Sequence, residues 1–463
     1  NDLIEKDLVI IGSGPGGYVA AIHAAHLGAD IAIIEKDAIG GTCLNRGCIP
    51  TKTITRSVEV LADARRAKEF GVIAENVSAD LQSIINRKRK VVSQLVNGVK
   101  QLIKANKIII YKGEGCIISP DRVRVNNVDL LTKNIIVATG SEPNVLNIPG
   151  HNLPGVLSTD DILELEEIPE SLIIIGGSHT GVEFACIFNT LGSKVTIVKR
   201  RPLKLEPTDE DIARRFSQNL QRQGIKIITG AAIKAIQEAD GMLKVVWDTP
   251  EGKQLGIEGQ KVLLATGRKP YTKGLGLSEL GIRMHNESIA VNERLETSVE
   301  NIYAIGDVLG THMLAHVASY EGEIAVENAL GSNNRKANYD AVPYCVYTRP
   351  EVASIGLTEA EAKTRRIPCK VTRFPFAASG RAVAMDETDG IAKMVCNAED
   401  GKLLGMHIMG PHAGELISES SIALQIGARA IDISQAIHAH PTLSEVMHET
   451  ALAQLSGPIH ILR

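Results

Sequence analysis

Asp7-Leu8-Val9-Ile10-Ile11-Gly12-Ser13-Gly14-Pro15-Gly16-Gly17, closed by Asp30-Ile31-Ala32-Ile33-Ile34-Glu35, is the stretch that decides the architecture. An apolar run meets a glycine turn, a helical stretch follows, and a second apolar run ends in an acid. This reads as strand, turn, helix, strand. Gly12, Gly14 and Gly17 allow the tight turn and let backbone amides approach a pyrophosphate at the helix N-terminus. Glu35 can accept hydrogen bonds from ribose hydroxyls. A glycine triad alone is weak evidence, but framed by strands and closed by an acid it is strong.

From Gly12 to Gly176 the pattern repeats without a gap. Leu172-Ile173-Ile174-Ile175 precedes Gly176-Gly177-Ser178-His179-Thr180-Gly181, Leu191-Gly192 matches Leu27-Gly28, and Lys194 to Lys199 matches Asp30 to Glu35. Each half also closes on a similar strand, Ile135-Ile136-Val137-Ala138-Thr139-Gly140 and Val262-Leu263-Leu264-Ala265-Thr266-Gly267. Two doubly wound units in one chain fit an electron path between two bound dinucleotides.

Composition bounds the rest. A chain of 463 residues exceeds one core and implies three or four domains. Its 50 basic and 54 acidic residues leave no footprint for nucleic acid or an anionic membrane. Aromatic residues make up 3%, too few for base-stacking surfaces. No apolar run approaches the roughly 20 residues needed to span a bilayer. Val9-Ile10-Ile11 runs into glycines, so it reads as a strand and not a signal peptide. Asn1 at the head of the chain is compatible with a trimmed start or a lost upstream segment. Cys116, Cys186, Cys345, Cys369 and Cys396 are scattered and read as reduced, buried small residues. The expectation is a cytoplasmic enzyme.

The chemistry sits in Gly40-Gly41-Thr42-Cys43-Leu44-Asn45-Arg46-Gly47-Cys48-Ile49-Pro50-Thr51-Lys52. A dithiol pair beside a nucleotide site can pass electrons between a disulfide and a cofactor. Bridging needs Cα atoms within roughly 7 Å, which a regular helix does not give at this spacing. Gly47 and Pro50 favour a distorted helix start, whose N-terminus would lower a thiolate pKa.

This run resembles the redox-disulfide signature of the pyridine nucleotide-disulfide oxidoreductases, most closely the branch that oxidises dihydrolipoyl groups. Further motifs follow in the family's order. Asn301-Ile302-Tyr303-Ala304-Ile305-Gly306-Asp307 resembles the second flavin motif, and Leu314-Ala315-His316-Val317-Ala318 a helix reaching the flavin. Tyr347 to Gly356 resembles the opening of a dimerisation domain. His438-Ala439-His440-Pro441-Thr442-Leu443-Ser444-Glu445 resembles the family's base motif.

The resemblance implies an α/β chain: two Rossmann-like domains for FAD and NAD(P), plus a C-terminal α+β dimerisation domain. The boundaries would be 1–145 for FAD, 146–270 for NAD(P), 271–343 for a central domain completing the FAD site, and 344–463 for the interface. It implies Cys43 as the thiol facing substrate and Cys48 as the thiol facing the flavin. Lys52 would stand near flavin N5, paired with Glu183, where a cation stabilises charge on the reduced ring. His440 would be the base, supplied across a homodimer and oriented by Glu445. A dithiol attacks only as its thiolate, so its proton needs an acceptor. His438 reads as structural. Gly115, Thr139, Gly140, Ser141, Asp307 and Ala315 would join the first glycine turn around FAD. Gly176, Ser178, Gly181, Glu183, Lys199, Arg200 and Gly267 would hold NAD or NADP. The implied reaction oxidises dihydrolipoamide on a lipoyl-carrying protein, either a 2-oxo acid dehydrogenase acyltransferase or a glycine-cleavage carrier. No metal is implied.

Three departures stand out. Lys199-Arg200-Arg201 puts cations where an NAD site carries an acid, which accommodates a 2′-phosphate. Ser178 replaces the middle glycine of the second turn, crowding the pyrophosphate and weakening nucleotide affinity. Arg46 stands inside the disulfide loop where the family has an apolar residue, and the sequence gives no account of it. The rival reading is an NADPH-dependent glutathione-type reductase. Mercuric and large thioredoxin reductases are disfavoured because Ser456 to Arg463 has no cysteine pair. A non-catalytic flavoprotein would not need Cys43, Cys48, Lys52, His440 and Glu445 together.

Overall fold

The computed structural model describes residues 4–203, 205, 207–331 and 334–462. Strand β1 (Ile4–Ile11) and strand β2 (Ile31–Glu35) flank helix α1 (Pro15–His26), as the sequence predicts. Pro15 opens the helix at a position where its missing N–H costs nothing. Leu8 to Ile11 pair in parallel with Ile31 to Ile34 on one side and with Asn134 to Val137 on the other. Both faces of these strands are covered, which is why they read as continuous apolar runs.

The duplication is visible strand for strand. The first sheet runs Ile109–Lys112, β2, β1, Val128–Val137, and then Ile302–Ala304. The second runs Lys226–Ile228, Lys194–Val198, Ser171–Ile175, Lys261–Leu264, and then Val156–Leu157. The order is the same, but the outer strand comes from different places. In the first unit it arrives only after the whole second unit has been traversed. Each unit also carries an antiparallel meander, Gly115–Ser119 with Arg122–Val125 in the first and Ala232–Gly259 in the second. Segments equivalent in the two halves clasp each other, since Ser141–Pro143 pairs antiparallel with Arg268–Pro270.

Helix Ala315–Ala329 lies against α1 at close range. A Cβ on Gly322 would stand 2.8 Å from the Gly16 carbonyl oxygen. The C-terminal region is a five-stranded antiparallel sheet with helices packed on it. A buried charge cluster ties it to the second unit. Lys393 Nζ donates to Asp209 Oδ1 at 2.7 Å and Asp211 Oδ2 at 2.9 Å, with Glu359 Oε2 at 2.8 Å. Among the described residues no helix is long and apolar enough to cross a membrane.

Candidate active site

Both glycine turns are built as the residue types require. Gly12 has φ +106°, and a Cβ there would stand 2.2 Å from the Ala138 carbonyl oxygen. Only glycine fits. A Cβ on Gly17 would stand 2.0 Å from the Gly12 oxygen, so this glycine serves helix-to-turn packing. A Cβ on Gly14, by contrast, meets nothing within 4 Å, which leaves the turn open toward a cavity of about 440 Å³.

The cavity walls fit FAD. Glu35 is buried and ordered: its Oε2 accepts from Ser13 N and Oγ, and its Oε1 accepts from Asp37 N. Asp307 Oδ2 accepts from Ser141 Oγ at 2.6 Å, and Oδ1 has no partner among the described residues. Burial pushes the Asp307 carboxyl up, opposed by the Ser141 hydroxyl and the Arg268 guanidinium. An acceptor of this kind suits a sugar-alcohol hydroxyl. Gly115, Thr139, Gly140, Ala315 and Gly267 line the same cavity.

The redox loop forms another wall. Helix α2 (Gly41–Arg46) and helix α3 (Cys48–Arg65) are separated by Gly47 at φ −131°, ψ −109°. This break is the distortion expected of the Cys43–Cys48 spacing, and it makes Cys48 the first residue of an 18-residue helix. The two are free cysteines placed for one thiol to hydrogen-bond the other. That bond, aided by Lys52, pulls the Cys48 thiol down to about 7 against the cost of burial. Cys43 is pushed up, because it donates the bond and is buried beside a charge. The reduced pair should therefore titrate as one thiolate near neutral pH. Ultraviolet thiolate absorbance should fall as pH drops through about 7, and Lys52→Met should move that step upward. A step unchanged in Lys52→Met would show that the ammonium does not act on the sulfur.

Lys52 Nζ bonds Glu183 Oε1 at 3.0 Å and Oε2 at 2.8 Å, bringing the first unit to the helix His179–Leu191 of the second. Glu183 also accepts from Tyr347 N at 2.9 Å, and Lys52 Nζ lies 4.7 Å from the Tyr347 ring centre. Tyr347 opens the Tyr347–Gly356 segment but carries no local sequence signal of this contact. Nor does the sequence signal Arg268, whose Nε donates to Ser141 Oγ at 2.7 Å and whose Nη2 donates to Ser141 O at 2.7 Å. The pairing of the two halves brings that residue to the cavity.

Arg46, unexplained by sequence, has partners. It pairs with Asp37 beside Glu35, and its Nη1 stands 4.0 Å from Asp160 Oδ2. The redox loop is thereby tied to the edge of β2 and to the second unit. Asp160 Oδ1 is buried without a hydrogen-bond partner among the described residues, and burial pushes that carboxyl up.

At the second turn Gly176 repeats Gly12: φ is +113°, and a Cβ would stand 2.1 Å from the Ala265 oxygen. Gly181 packs toward Ala265. Ser178 caps the following helix with its backbone only. Its hydroxyl makes no hydrogen bond among the described residues and lines the cavity. His179 lies edge-on to Tyr344 at 5.6 Å, and burial holds its imidazole below the usual range. Lys199 folds over the turn, its Nζ 3.0 Å from where a Gly177 Cβ would stand; Arg200 is exposed beside it.

His440 and Glu445 are outside this cavity. His440 Nδ1 bonds Glu445 Oε1 at 2.8 Å, and Glu445 Oε2 accepts from Thr442 N at 2.9 Å. Despite some desolvation, these bonds hold the Glu445 carboxyl below its usual range. The His440 side chain is 78% exposed. With Nδ1–H donated to the carboxylate, Nε2 is left as the free ring nitrogen, and within one chain His440 does not line the cavity that holds the cysteines. Both ring nitrogens of His438 are engaged, Nδ1 with Ala436 O at 3.0 Å and Nε2 with Glu419 Oε1 at 3.0 Å.

Comparison with known proteins agrees with this geometry. A family model described as pyridine nucleotide-disulphide oxidoreductase matches residues 6–322, and the dimerisation domain of the same family matches residues 342–451. The chain is 41% identical to dihydrolipoyl dehydrogenase of Bacillus subtilis (strain 168) over 98% of this chain and 99% of that one. It is 41% identical to mitochondrial dihydrolipoyl dehydrogenase of Pisum sativum over 99% and 93%. Among solved structures, the HOCl-induced flavoprotein disulfide reductase RclA from Escherichia coli superposes with a TM-score of 0.87 at 30% identity, covering 96% of this chain and 99% of that one. The chain belongs to the pyridine nucleotide-disulphide oxidoreductase family, with the family's redox and dimerisation parts both present.

Proposed function

We propose that this chain is a dihydrolipoyl dehydrogenase, oxidising a protein-borne dihydrolipoyl dithiol to its cyclic disulfide while NAD⁺ takes a hydride. The observation that carries the reading is the Cys43–Cys48 pair on the wall of a cavity whose other walls suit a flavin dinucleotide. Bound FAD would supply the two-electron relay between that pair and the nicotinamide. The chain's own residues do the rest. Gly12, Gly14 and the start of α1 would receive the diphosphate, and Glu35 and Asp307 would accept from hydroxyls. Cys43 exchanges with the substrate sulfur. Cys48 leaves as a thiolate, held by its own helix start and by Lys52. The partner subunit's His440 takes the substrate proton at Nε2, fixed in that tautomer by Glu445. A lipoyl domain of a 2-oxo acid dehydrogenase acyltransferase or a glycine-cleavage carrier delivers the dithiol to a homodimer in the cytoplasm.

Steady-state turnover tests the reading, with dihydrolipoamide and glutathione disulfide each assayed against both nicotinamide nucleotides. Dihydrolipoamide with NAD⁺ should turn over far faster than glutathione disulfide with NADPH. The reverse ranking would overturn it.

A second reading concerns the nucleotide. Lys199 stands where the first unit has Glu35, with Arg200 and Arg201 exposed beside it. One charge-assisted bond to a 2′-phosphate contributes roughly 1.5–3 kcal/mol. NADP⁺ should therefore be tolerated, and Lys199→Glu should lower kcat/KM for NADP⁺ by about tenfold to a hundredfold while leaving NAD⁺ little changed. Equal losses for both nucleotides would end the idea.

A further inference from the structure

Glu321 lies in the helix Ala315–Ala329, is 1% exposed, and belongs to neither the redox pair nor a glycine turn. Its Oε2 accepts from Gly306 N at 2.6 Å, the amide directly before Asp307. Its Oε1 accepts from Tyr339 Oη at 2.7 Å, and the Tyr339 ring stacks on His312 at 4.9 Å. Gly306 has φ +74°, so the turn presenting Asp307 is held in a left-handed conformation. Tyr339 and His312 line a second cavity of about 800 Å³. One carboxyl thus joins the wall of that cavity to the acid that faces the flavin site.

We propose that Glu321 is a positioning residue for Asp307, setting flavin retention through the Gly306 amide, and that its proton couples flavin retention to pH. This rests on assignment of the first cavity to FAD. The facing groups are few. Asp307, backed by Arg268, lies on one side; Tyr339, with His312 and Tyr320 beyond it, lies on the other. Burial and the neighbouring Asp307 charge push the Glu321 carboxyl up to about 7, against the two bonds it accepts. A ribityl chain seated on Asp307 would displace water from that acid, reducing the screening of its charge, and would thereby strengthen the repulsion that raises Glu321. Linkage then fixes the sign. A proton held more firmly in the flavin-bound form makes FAD bind more tightly below neutral pH and less tightly as pH rises through about 7.

The test measures FAD dissociation from the holoenzyme by recovery of free-flavin fluorescence between pH 6 and 8.5. Wild-type Kd should rise severalfold across that range. Glu321→Gln keeps an acceptor for Gly306 N; it should bind FAD within about threefold of wild type at pH 6 and show no such rise. Tyr339→Phe removes a donor to the carboxylate and should move the rise to higher pH. Glu321→Ala should weaken FAD about tenfold or more, since it strands a buried amide. Wild-type affinity in Glu321→Ala, or an unaltered pH trend in Glu321→Gln, would overturn the proposal. If Glu321→Ala does not fold, the glutamine and phenylalanine profiles still decide. Flavin content of the wild type, read in the same assay, separates failure of the cavity assignment from failure of the role of Glu321.

Discussion

His440→Ala is expected to lower kcat for dihydrolipoamide oxidation by roughly 10²–10⁴-fold, the range for removal of a positioned general base. NADH oxidation by an artificial dye, which needs no dithiol deprotonation, should stay near wild type. The split follows from the geometry. Glu445 accepts from His440 Nδ1 at 2.8 Å, so the exposed Nε2 alone can take a proton. Because His440 does not line the cavity that holds the cysteines of its own chain, the loss should be repairable between subunits. Mixed dimers of His440→Ala with Cys43→Ser should regain activity at one of two sites, up to roughly half of the wild-type value, because one site joins an intact Cys43 to an intact His440. No recovery on mixing, with dimers shown to exchange, would place the base in the same chain as the thiols it serves. Parallel loss of the dye reaction would point to a collapsed fold.

Lys393→Met is expected to cost about 3–5 kcal/mol, the penalty for stranding a buried charge by deleting its partner. Asp209 is 2% exposed and loses its ammonium partner, keeping the amides of Asp211 and Glu359. Chemical denaturation should show the loss, and adding Asp209→Asn to Lys393→Met should recover part of it. If the single variant matched wild type, the cluster would contribute nothing net. The same cluster predicts an acid limb. The Lys393 ammonium holds the Asp211 carboxyl well below its usual range. Lys363, with Lys393, holds Glu359 at about 2. Unfolded, these groups titrate near 3.9 and 4.3. Their contribution is therefore complete above about pH 4.5 and lost as pH falls toward 2. In Lys393→Met that limb should flatten.

How much of this was legible beforehand follows from sequence separation. The strand–turn–helix–strand units, the glycines and the acid at Glu35 are local patterns, and the structure places each where the pattern implies. The Cys43–Cys48 spacing announced a break in the helix, which Gly47 supplies. Arg46 could not be read, because its partners Asp37 and Asp160 are brought to it by loops of both units. Arg268 and Tyr347 reach the site only through pairing between halves, which leaves no periodic trace. The Lys393 cluster was invisible for the same reason: a lysine in the apolar strand Ile391–Asn397 looks like an exposed charge until three carboxylates from distant segments close over it.

The late return of Ile302–Ala304 to the first sheet bears on birth as well as architecture. While the ribosome is still making everything between Val137 and Ile302, the nascent N-terminal sheet shows a naked β-edge along Ile135 to Val137. At ordinary elongation rates that exposure lasts on the order of ten seconds or more, long enough for holdase chaperones to engage it or for neighbouring chains on a polysome to zip together.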